Sequence, residues 1–172
     1  MKTDIFKFKG NGKDKVYLKK ISQTLRDGGL VVLPTETVYG LGGNGLNKRT
    51  CKKIYEAKGR PSDNPLILHI ADNSQLDDLV AEVPEVAKKC IKKFWPGPLT
   101  IIFKRSDKVP DEATGGLDTV AIREPSNKIA HDILKSVDFP VAAPSANLSG
   151  RPSPTKVEHV IEDLDGRVDI IV

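Results

Sequence analysis

Residues 30–45 read LVVLPTETVYGLGGNG, a short apolar run followed at once by a segment rich in glycine and hydroxyl side chains. The run LVVLP has the composition of a buried β-strand. Four of the fourteen glycines fall within six residues after it, which favours backbone with positive φ that passes close to a ligand. A tight structural crossover is the alternative explanation. Thr35 and Thr37 stand two residues apart, so their hydroxyl groups share one side if the backbone there is extended.

Strand-like and helix-like segments alternate on both sides of this stretch. A helical period covers about residues 14–27 and ends at Gly28-Gly29. Further helices are predicted near 47–57, 76–83, 86–94, 129–134 and after a Thr155–Glu158 capping box, and further strands at 66–70, 99–105, 119–123, 141–143 and in the final VDIIV. This interleaving indicates an α/β domain layered around one twisted sheet. We expect a single domain, 1–172, with a basic arm at 1–13 and a core at 14–172.

The positive charge of the chain is concentrated at its N-terminus. The net charge is +4, but residues 1–20 contain seven lysines and two aspartates, so the other 152 residues sum to −1. A basic groove built into the fold would need cations spread over its walls. The charge alone therefore leaves both nucleic-acid binding and a merely solvated arm open.

Several classes of protein are disfavoured by composition and spacing. The sequence has no apolar run of membrane-spanning length and a polar start, so we expect a cytoplasmic protein without a membrane partner. Cys51 and Cys90 have no Cys-x-x-Cys spacing and are expected to be buried, reduced thiols. The sequence contains neither metal-ligand spacing nor a G-x-S-x-G elbow, which disfavours a protein-bound zinc and covalent catalysis.

Two further loops contain more polar side chains than a chain reversal requires. KGRPSDNP places Lys58 and Arg60 two residues apart, and an extended backbone there would point both cations toward a polyphosphate. Two solvated surface cations are the alternative. Ser145 and Asn147 in APSANLSG have the same spacing and offer neutral donors to phosphate or ribose oxygens.

Two more polar residues occur in predicted strands. Arg123 ends TVAIR and suits a carboxylate or phosphate ligand, although a salt bridge with Glu124 or another neighbour explains it equally well. His69 lies within the apolar run LILHI, where a histidine is more often a satisfied core residue than a ligand.

In this order and spacing, the sequence motifs PTETVYGLG, KGRPSDNPLILHI, WPGPLT, GLDTVAIREP and APSANLSGRPSPT resemble the YrdC family, the threonylcarbamoyl-AMP synthases. The resemblance implies an α/β fold whose twisted, mixed or parallel sheet and flanking helices surround a concave basic cavity. It also implies an enzyme, a nucleotidyltransferase that makes L-threonylcarbamoyl-AMP and pyrophosphate from L-threonine, bicarbonate and ATP. A separate transferase complex would use that product to form N6-threonylcarbamoyladenosine in tRNA.

The resemblance also assigns residues by position. It implies that Lys58, Arg60, Ser145 and Asn147 form the catalytic, triphosphate-binding group, and it adds Asn64, Thr119 and Ser153 to the ATP contacts. The resemblance also implies that the L-threonine pocket consists of Thr35, Thr37, His69, Arg123 and Ala143. Mg²⁺ would bind with the ATP phosphates and not to protein side chains. Catalysis would then consist of positioning and charge neutralisation.

The C-terminus departs from the family pattern. Family members usually continue after a strand such as VDIIV with an Asp-Gly-Gly turn, a Ser-Thr strand and an Arg-Pro-Gly segment, which this sequence lacks. We therefore expect lower synthase activity from this chain than from a longer form, together with an exposed sheet edge.

Two other functions stay open. A module for double-stranded RNA, tRNA or ribosome maturation would use the same basic cavity and contact RNA directly. The lysine-rich arm favours it, and the scarcity of aromatic side chains disfavours it. The other is a carbamoyl-transfer paralogue that acts on a different acceptor.

Overall fold

A mixed eight-stranded β-sheet forms the centre of the computed structural model, which describes residues 2–172. Its strands are β1 (Asp4–Ile5), β2 (Val31–Leu33), β3 (Gly40–Asn44), β4 (Ile67–His69), β5 (Ile101–Lys104), β6 (Thr119–Arg123), β7 (Val141–Ala142) and β8 (Ile170–Ile171). They lie side by side in the order β1-β8-β2-β3-β7-β4-β6-β5. The pairs β1–β8, β2–β8 and β4–β6 are parallel, and the other pairs are antiparallel. The predicted α/β class with a mixed sheet is confirmed.

Within the described residues the chain forms seven α-helices: α1 (Lys13–Arg26), α2 (Lys48–Lys58), α3 (Leu76–Leu79), α4 (Glu85–Phe94), α5 (Asp111–Thr114), α6 (Lys128–Lys135) and α7 (Val157–Leu164). The Asn47 side chain caps the start of α2, as a good N-cap residue does. The helix predicted over 76–83 is present only at its start: α3 ends at Leu79, and Val80 is extended and forms an antiparallel bridge with Arg105. The predicted Thr155 cap is wrong, since α7 begins after Lys156 without a side-chain cap.

The hydrophobic core consists of two clusters. Successive residues of β2 contribute alternately to one cluster and to the other. Val32 belongs to one cluster with Ile54 of α2, whereas Val31 and Leu33 belong to the other with Ile133 of α6. Successive strand residues point to opposite faces of a sheet. The sheet is therefore covered by helices on both faces, and its strand ends remain available for loops.

The glycine-rich segment, for which a ligand-binding loop is one prediction, contains strand β3. Its glycines do not adopt positive φ, so that expectation is wrong. They are needed for close packing instead: a Cβ on Gly43 would lie 2.5 Å from Thr50 Cγ2, and one on Gly42 would lie 2.7 Å from Leu33 Cδ2. The alternative explanation, a tight structural element, describes these two glycines better.

The N-terminal segment expected as a basic arm contributes a strand and packs on the fold. β1 pairs with β8, which lies between β1 and β2 in the interior of the sheet. The Phe6 ring stacks on Tyr17 of α1 with ring centroids 4.5 Å apart, and Lys20 forms an ion pair with Asp4. Residues 4–8 therefore belong to the folded unit.

Among the described residues, no helix has the length and apolar character needed to cross a lipid bilayer.

Both cysteines are free: Cys51 is buried, as expected, whereas Cys90 is only partly buried. Burial and the nearby Glu112 raise the pKa of the Cys51 thiol to about 12, which keeps it protonated and unreactive.

Candidate functional site

A cavity of about 260 Å³ opens where several strands end. His69 and Arg123 are the last residues of the parallel strands β4 and β6, so their side chains reach the same edge of the sheet. Side chains and backbone from five segments line the cavity: Thr35, Val38, Gly40, Arg60, Pro65, Ile67, His69, Arg123, Ala143, Pro144 and Ser145. This volume is slightly below the usual range for drug-sized ligands and suits a small polar molecule.

Arg123 is held on the cavity wall by residues from distant parts of the chain. Its Nη1 donates to Thr37 Oγ1 at 3.1 Å, and its Nε donates to the Gly97 carbonyl at 3.3 Å. Its Nη2 lies 2.9 Å from Glu36 Oε1 in an ion pair but is not aligned for a hydrogen bond. The guanidinium is buried and keeps unused N–H donors, which is the arrangement that a carboxylate or phosphate ligand needs.

The salt bridge that the sequence suggested for Arg123 is present, but its partner is Glu36 and not Glu124. Glu124 follows the end of β6 and forms no ion pair within residues 2–172. The sequence reasoning missed Glu36 as a site residue. A carboxylate between two threonines that were both assigned to the pocket was the available signal.

The two threonines before β3 form one polar bend. Thr35 Oγ1 lies 3.0 Å from Thr37 Oγ1, so the prediction that the hydroxyls share one side is confirmed. Thr35 also donates to the Val38 carbonyl at 2.7 Å and accepts from the N–H of Thr37. The Thr35 hydroxyl therefore stabilises the bend, while that of Thr37 lies against Arg123.

Lys58 and Arg60 do not point the same way, and the predicted extended geometry is wrong. Lys58 is the last residue of α2, and the left-handed Gly59 after it turns the chain. The residue Lys58 is 2 % exposed, and its ammonium group donates to the main-chain carbonyls of Ser145 and Asn147. Burial and the nearby Arg60 lower the pKa of Lys58 to about 8. Only Arg60 lines the cavity.

Arg60 is the second cation of the cavity. Its Nη2 donates to the Pro65 carbonyl at 3.2 Å, and its Nε is buried without a hydrogen-bond partner. Buried guanidinium donors normally have partners. A ligand oxygen would satisfy this one.

The loop after β7 is organised around Asn147. Ser145 Oγ donates to Asn147 Oδ1 at 2.6 Å, and Asn147 Nδ2 donates to the carbonyls of Leu148 and Arg151. Asp163, which the sequence reasoning did not consider, accepts from the Leu148 N–H at 3.0 Å. Ser145 therefore faces the cavity, whereas Asn147 holds the loop in place.

His69 is buried, as a core histidine is, and it also lines the cavity. Its Nδ1 lies 3.2 Å from the Ile67 carbonyl. Burial and the charge of Arg123 lower the pKa of His69 to about 4. The imidazole is therefore neutral at physiological pH and offers a hydrogen bond without a charge.

This low pKa predicts a loss of stability in acid. Between the ordinary pKa of 6.5 and the folded value of about 4, the unfolded chain binds the proton more readily. As the pH is lowered through that window, the free energy of unfolding should decrease by up to about 1.4 kcal/mol per pH unit. Urea unfolding at several pH values measures it. His69→Gln should flatten the slope, and the matched control His159→Gln on α7 should not; equal slopes in all three proteins would contradict the prediction.

The remaining predicted residues have different places. Ala143 lines the cavity, and its N–H already donates to the Ile67 carbonyl. Asn64 is exposed and Thr119 begins β6 at the end away from Arg123, so neither lines the cavity. Ser153 lies in a separate depression beside Arg151 and His159. Among residues 2–172, no three histidine, cysteine, aspartate or glutamate side chains come together as a metal site.

Comparison with known protein families gives a match over most of the chain. The family model Sua5_yciO_yrdC, described as telomere recombination, matches residues 23–172. Proteins called threonylcarbamoyl-AMP synthase are similar over 86 % of the chain, with 54 % identity in Pyrococcus abyssi and 58 % in Bacillus subtilis. The chain spans 44 % and 43 % of their lengths.

Solved structures show the same relationship. P. abyssi Sua5 complexed with L-threonine is 47 % identical with a TM-score of 0.90, over 99 % of this chain and 48 % of that one. Escherichia coli YciO is 27 % identical with a TM-score of 0.85, over 98 % of this chain and 82 % of that one. The fold of this chain is therefore shared with these proteins.

Proposed function

The chain belongs to the Sua5/YciO/YrdC family, and on this basis we propose that it binds L-threonine in the cavity and makes threonylcarbamoyl-AMP. The observation that carries the proposal is the Arg123 guanidinium, which is buried at the cavity wall with donors still unused. Such a group binds a carboxylate strongly, because charge-assisted hydrogen bonds are the stronger kind. The related P. abyssi Sua5 has been solved in complex with L-threonine.

The proposed reaction joins L-threonine, bicarbonate and ATP. The threonine ammonium gives up a proton, which converts bicarbonate into carbon dioxide and water. The neutral amine then adds to the carbon dioxide, releases a second proton to solvent and forms a carbamate. A carbamate oxygen then attacks the α-phosphorus of ATP, a new P–O bond forms, and pyrophosphate leaves. The cavity lining contains arginines, hydroxyls and a neutral imidazole. These groups position anions and neutralise charge, so the protein contributes no covalent nucleophile.

The nucleotide would extend from the cavity toward its rim. The cavity is too small to hold ATP together with threonine. We place the phosphates beside Arg60, because its Nε has no hydrogen-bond partner. Lys58 would act indirectly by holding the Ser145–Asn147 loop. Asn64, Thr119 and Ser153 stay predicted ATP contacts outside the cavity. Mg²⁺ would be carried by the ATP phosphates, where it neutralises charge.

The product would serve tRNA modification through a separate transferase complex, in the cytoplasm. The alternative, an RNA-binding module, is not favoured. A cavity of about 260 Å³ does not admit a nucleic-acid duplex, and none of the seven lysines of residues 1–20 lines it.

Calorimetric titration tests the proposal. L-Threonine should bind at least about tenfold more tightly than L-valine, which has the same shape without the hydroxyl, because the cavity groups would lose a partner. Arg60→Ala should weaken binding of magnesium-ATP by about tenfold or more, whereas Arg49→Ala, an exposed arginine of α2, should not. Pyrophosphate release with each amino acid gives the matching activity. A folded protein that binds neither L-threonine nor ATP would refute the proposal.

A further inference from the structure

The Glu36 carboxylate stands directly beside Arg123, although it comes from the bend between β2 and β3. Its Oε1 lies 2.9 Å from Arg123 Nη2 and accepts the N–H of Ser126 at 3.2 Å. Its Oε2 accepts no hydrogen bond from residues 2–172. The side chain is 21 % exposed, and it stands behind Arg123, which lines the cavity. Neither the sequence motifs nor the resemblance assigned Glu36 a role.

Opposite charges at this spacing complement an α-amino acid. The ammonium nitrogen of an amino acid lies about 2.5 Å from its carboxylate carbon, as the two intervening bond lengths require. Glu36 Oε1 and Arg123 Nη2 lie 2.9 Å apart. An amino acid lying alongside this pair would set its ammonium against the carboxylate and its carboxylate against the guanidinium. Both partners keep capacity for a ligand, since Arg123 Nη2 lacks a hydrogen-bond partner and Glu36 Oε2 lacks a donor.

Glu36 is also held in its charged form. Burial raises the pKa of Glu36. The contact with Arg123 and the main-chain N–H groups together lower it by more, so the pKa of Glu36 lies below its ordinary value. The carboxylate is therefore ionised near neutral pH and accepts hydrogen bonds from an ammonium group.

We propose, on the basis of the function proposed above, that Glu36 recognises the ammonium group of the amino-acid substrate while Arg123 binds its carboxylate. Glu36 is then a specificity-determining residue that distinguishes amino acids from hydroxy acids of the same shape. The existing ion pair orders both side chains before the substrate arrives, which reduces the entropy lost on binding.

Two ligands that differ only in the amino group test this role. L-Threonine and (R)-3-hydroxybutyrate are titrated calorimetrically into the wild-type chain, Glu36→Gln and the control Glu82→Gln, whose carboxylate is exposed away from the cavity. The wild-type and control proteins should prefer L-threonine by about tenfold or more, the value of one charged hydrogen bond. Glu36→Gln should lose that preference by weakening L-threonine alone. Glu36→Asp should retain part of it.

The other outcomes distinguish the two levels of the proposal. Equal weakening of both ligands in Glu36→Gln would overturn the recognition role, because Glu36 would then act only by positioning Arg123. Tighter binding of both ligands would also overturn it, since Glu36 would be a competitor for Arg123. If the folded wild-type chain bound no L-threonine at all, the proposed function itself would fail.

Discussion

Replacing Arg123 with alanine should lower the affinity for L-threonine by about a hundredfold or more. A hydrogen bond to a charged group contributes about 1.5–3 kcal/mol, and a carboxylate ligand would receive two from the guanidinium. The same change leaves the Thr37 hydroxyl and the Glu36 carboxylate without their cation. The negative charge of Glu36 would then repel the carboxylate of the ligand. Calorimetry with L-threonine measures the loss.

Arg123→Lys separates charge from geometry in this experiment. Lysine keeps the positive charge but lacks the planar pair of donors, so it should recover only part of the affinity. Arg105→Ala, which removes an arginine that pairs with Asp111 away from the cavity, is the control and should bind L-threonine like the wild-type chain. Binding by Arg123→Ala within about threefold of the wild type would contradict an Arg123 carboxylate site; that threshold is well below the loss of one charged hydrogen bond.

Replacing Lys58 with methionine should release the Ser145–Asn147 loop from helix α2. Methionine fills similar space but leaves the carbonyls of Ser145 and Asn147 buried without their donor. We expect a loss of about 2 kcal/mol in the free energy of unfolding. Amide hydrogen exchange at Ala146 and Ser149 should become at least about tenfold faster, which corresponds to about 1.4 kcal/mol of local stability. Lys53→Met, which removes one bond to the Gly28 carbonyl, is the matched control.

The pH dependence of Lys58→Met provides a second measurement. Between the folded pKa of about 8 and the ordinary value of 10.5, the unfolded chain binds the proton that the folded chain has lost. The wild-type chain should gain stability from this group as pH rises through that window, by up to about 1.4 kcal/mol per pH unit. The methionine variant should lack this gain. A variant with wild-type loop exchange and the same alkaline slope would show that Lys58 does not anchor the loop.

Regular elements with strong local signals were predictable from the sequence. TVAIR forms β6 over Thr119–Arg123 because its β-branched Val120 and Ile122 occur at alternate positions and pack into the core. Asn47 caps α2 because its side chain is suited to the free N–H groups at a helix start. Thr155 is equally suited to a cap, yet α7 begins one residue later. Local propensity therefore selects the element more reliably than its boundary.

Strand β3 shows why other elements were not predictable. Glycine has low strand propensity, and GLGGN contains none of the apolar alternation typical of strands. Its neighbours decide its conformation: Leu33 and Thr50 approach so closely that a side chain on Gly42 or Gly43 would collide with them. Those distances exist only once the helix and the neighbouring strands have packed.

The sequence by itself determined the α/β class, the family resemblance and the loops that carry the site, because these depend on composition and on short motifs along the chain. Only the tertiary structure decided the partner of each charged side chain. Lys58 binds carbonyls 87 and 89 positions away, and Arg123 reaches Thr37 across 86 positions. A charge pairs with whatever the fold brings within a few ångströms. The spacing of Lys58 and Arg60 along the chain therefore predicted a shared direction that the turn at Gly59 does not allow.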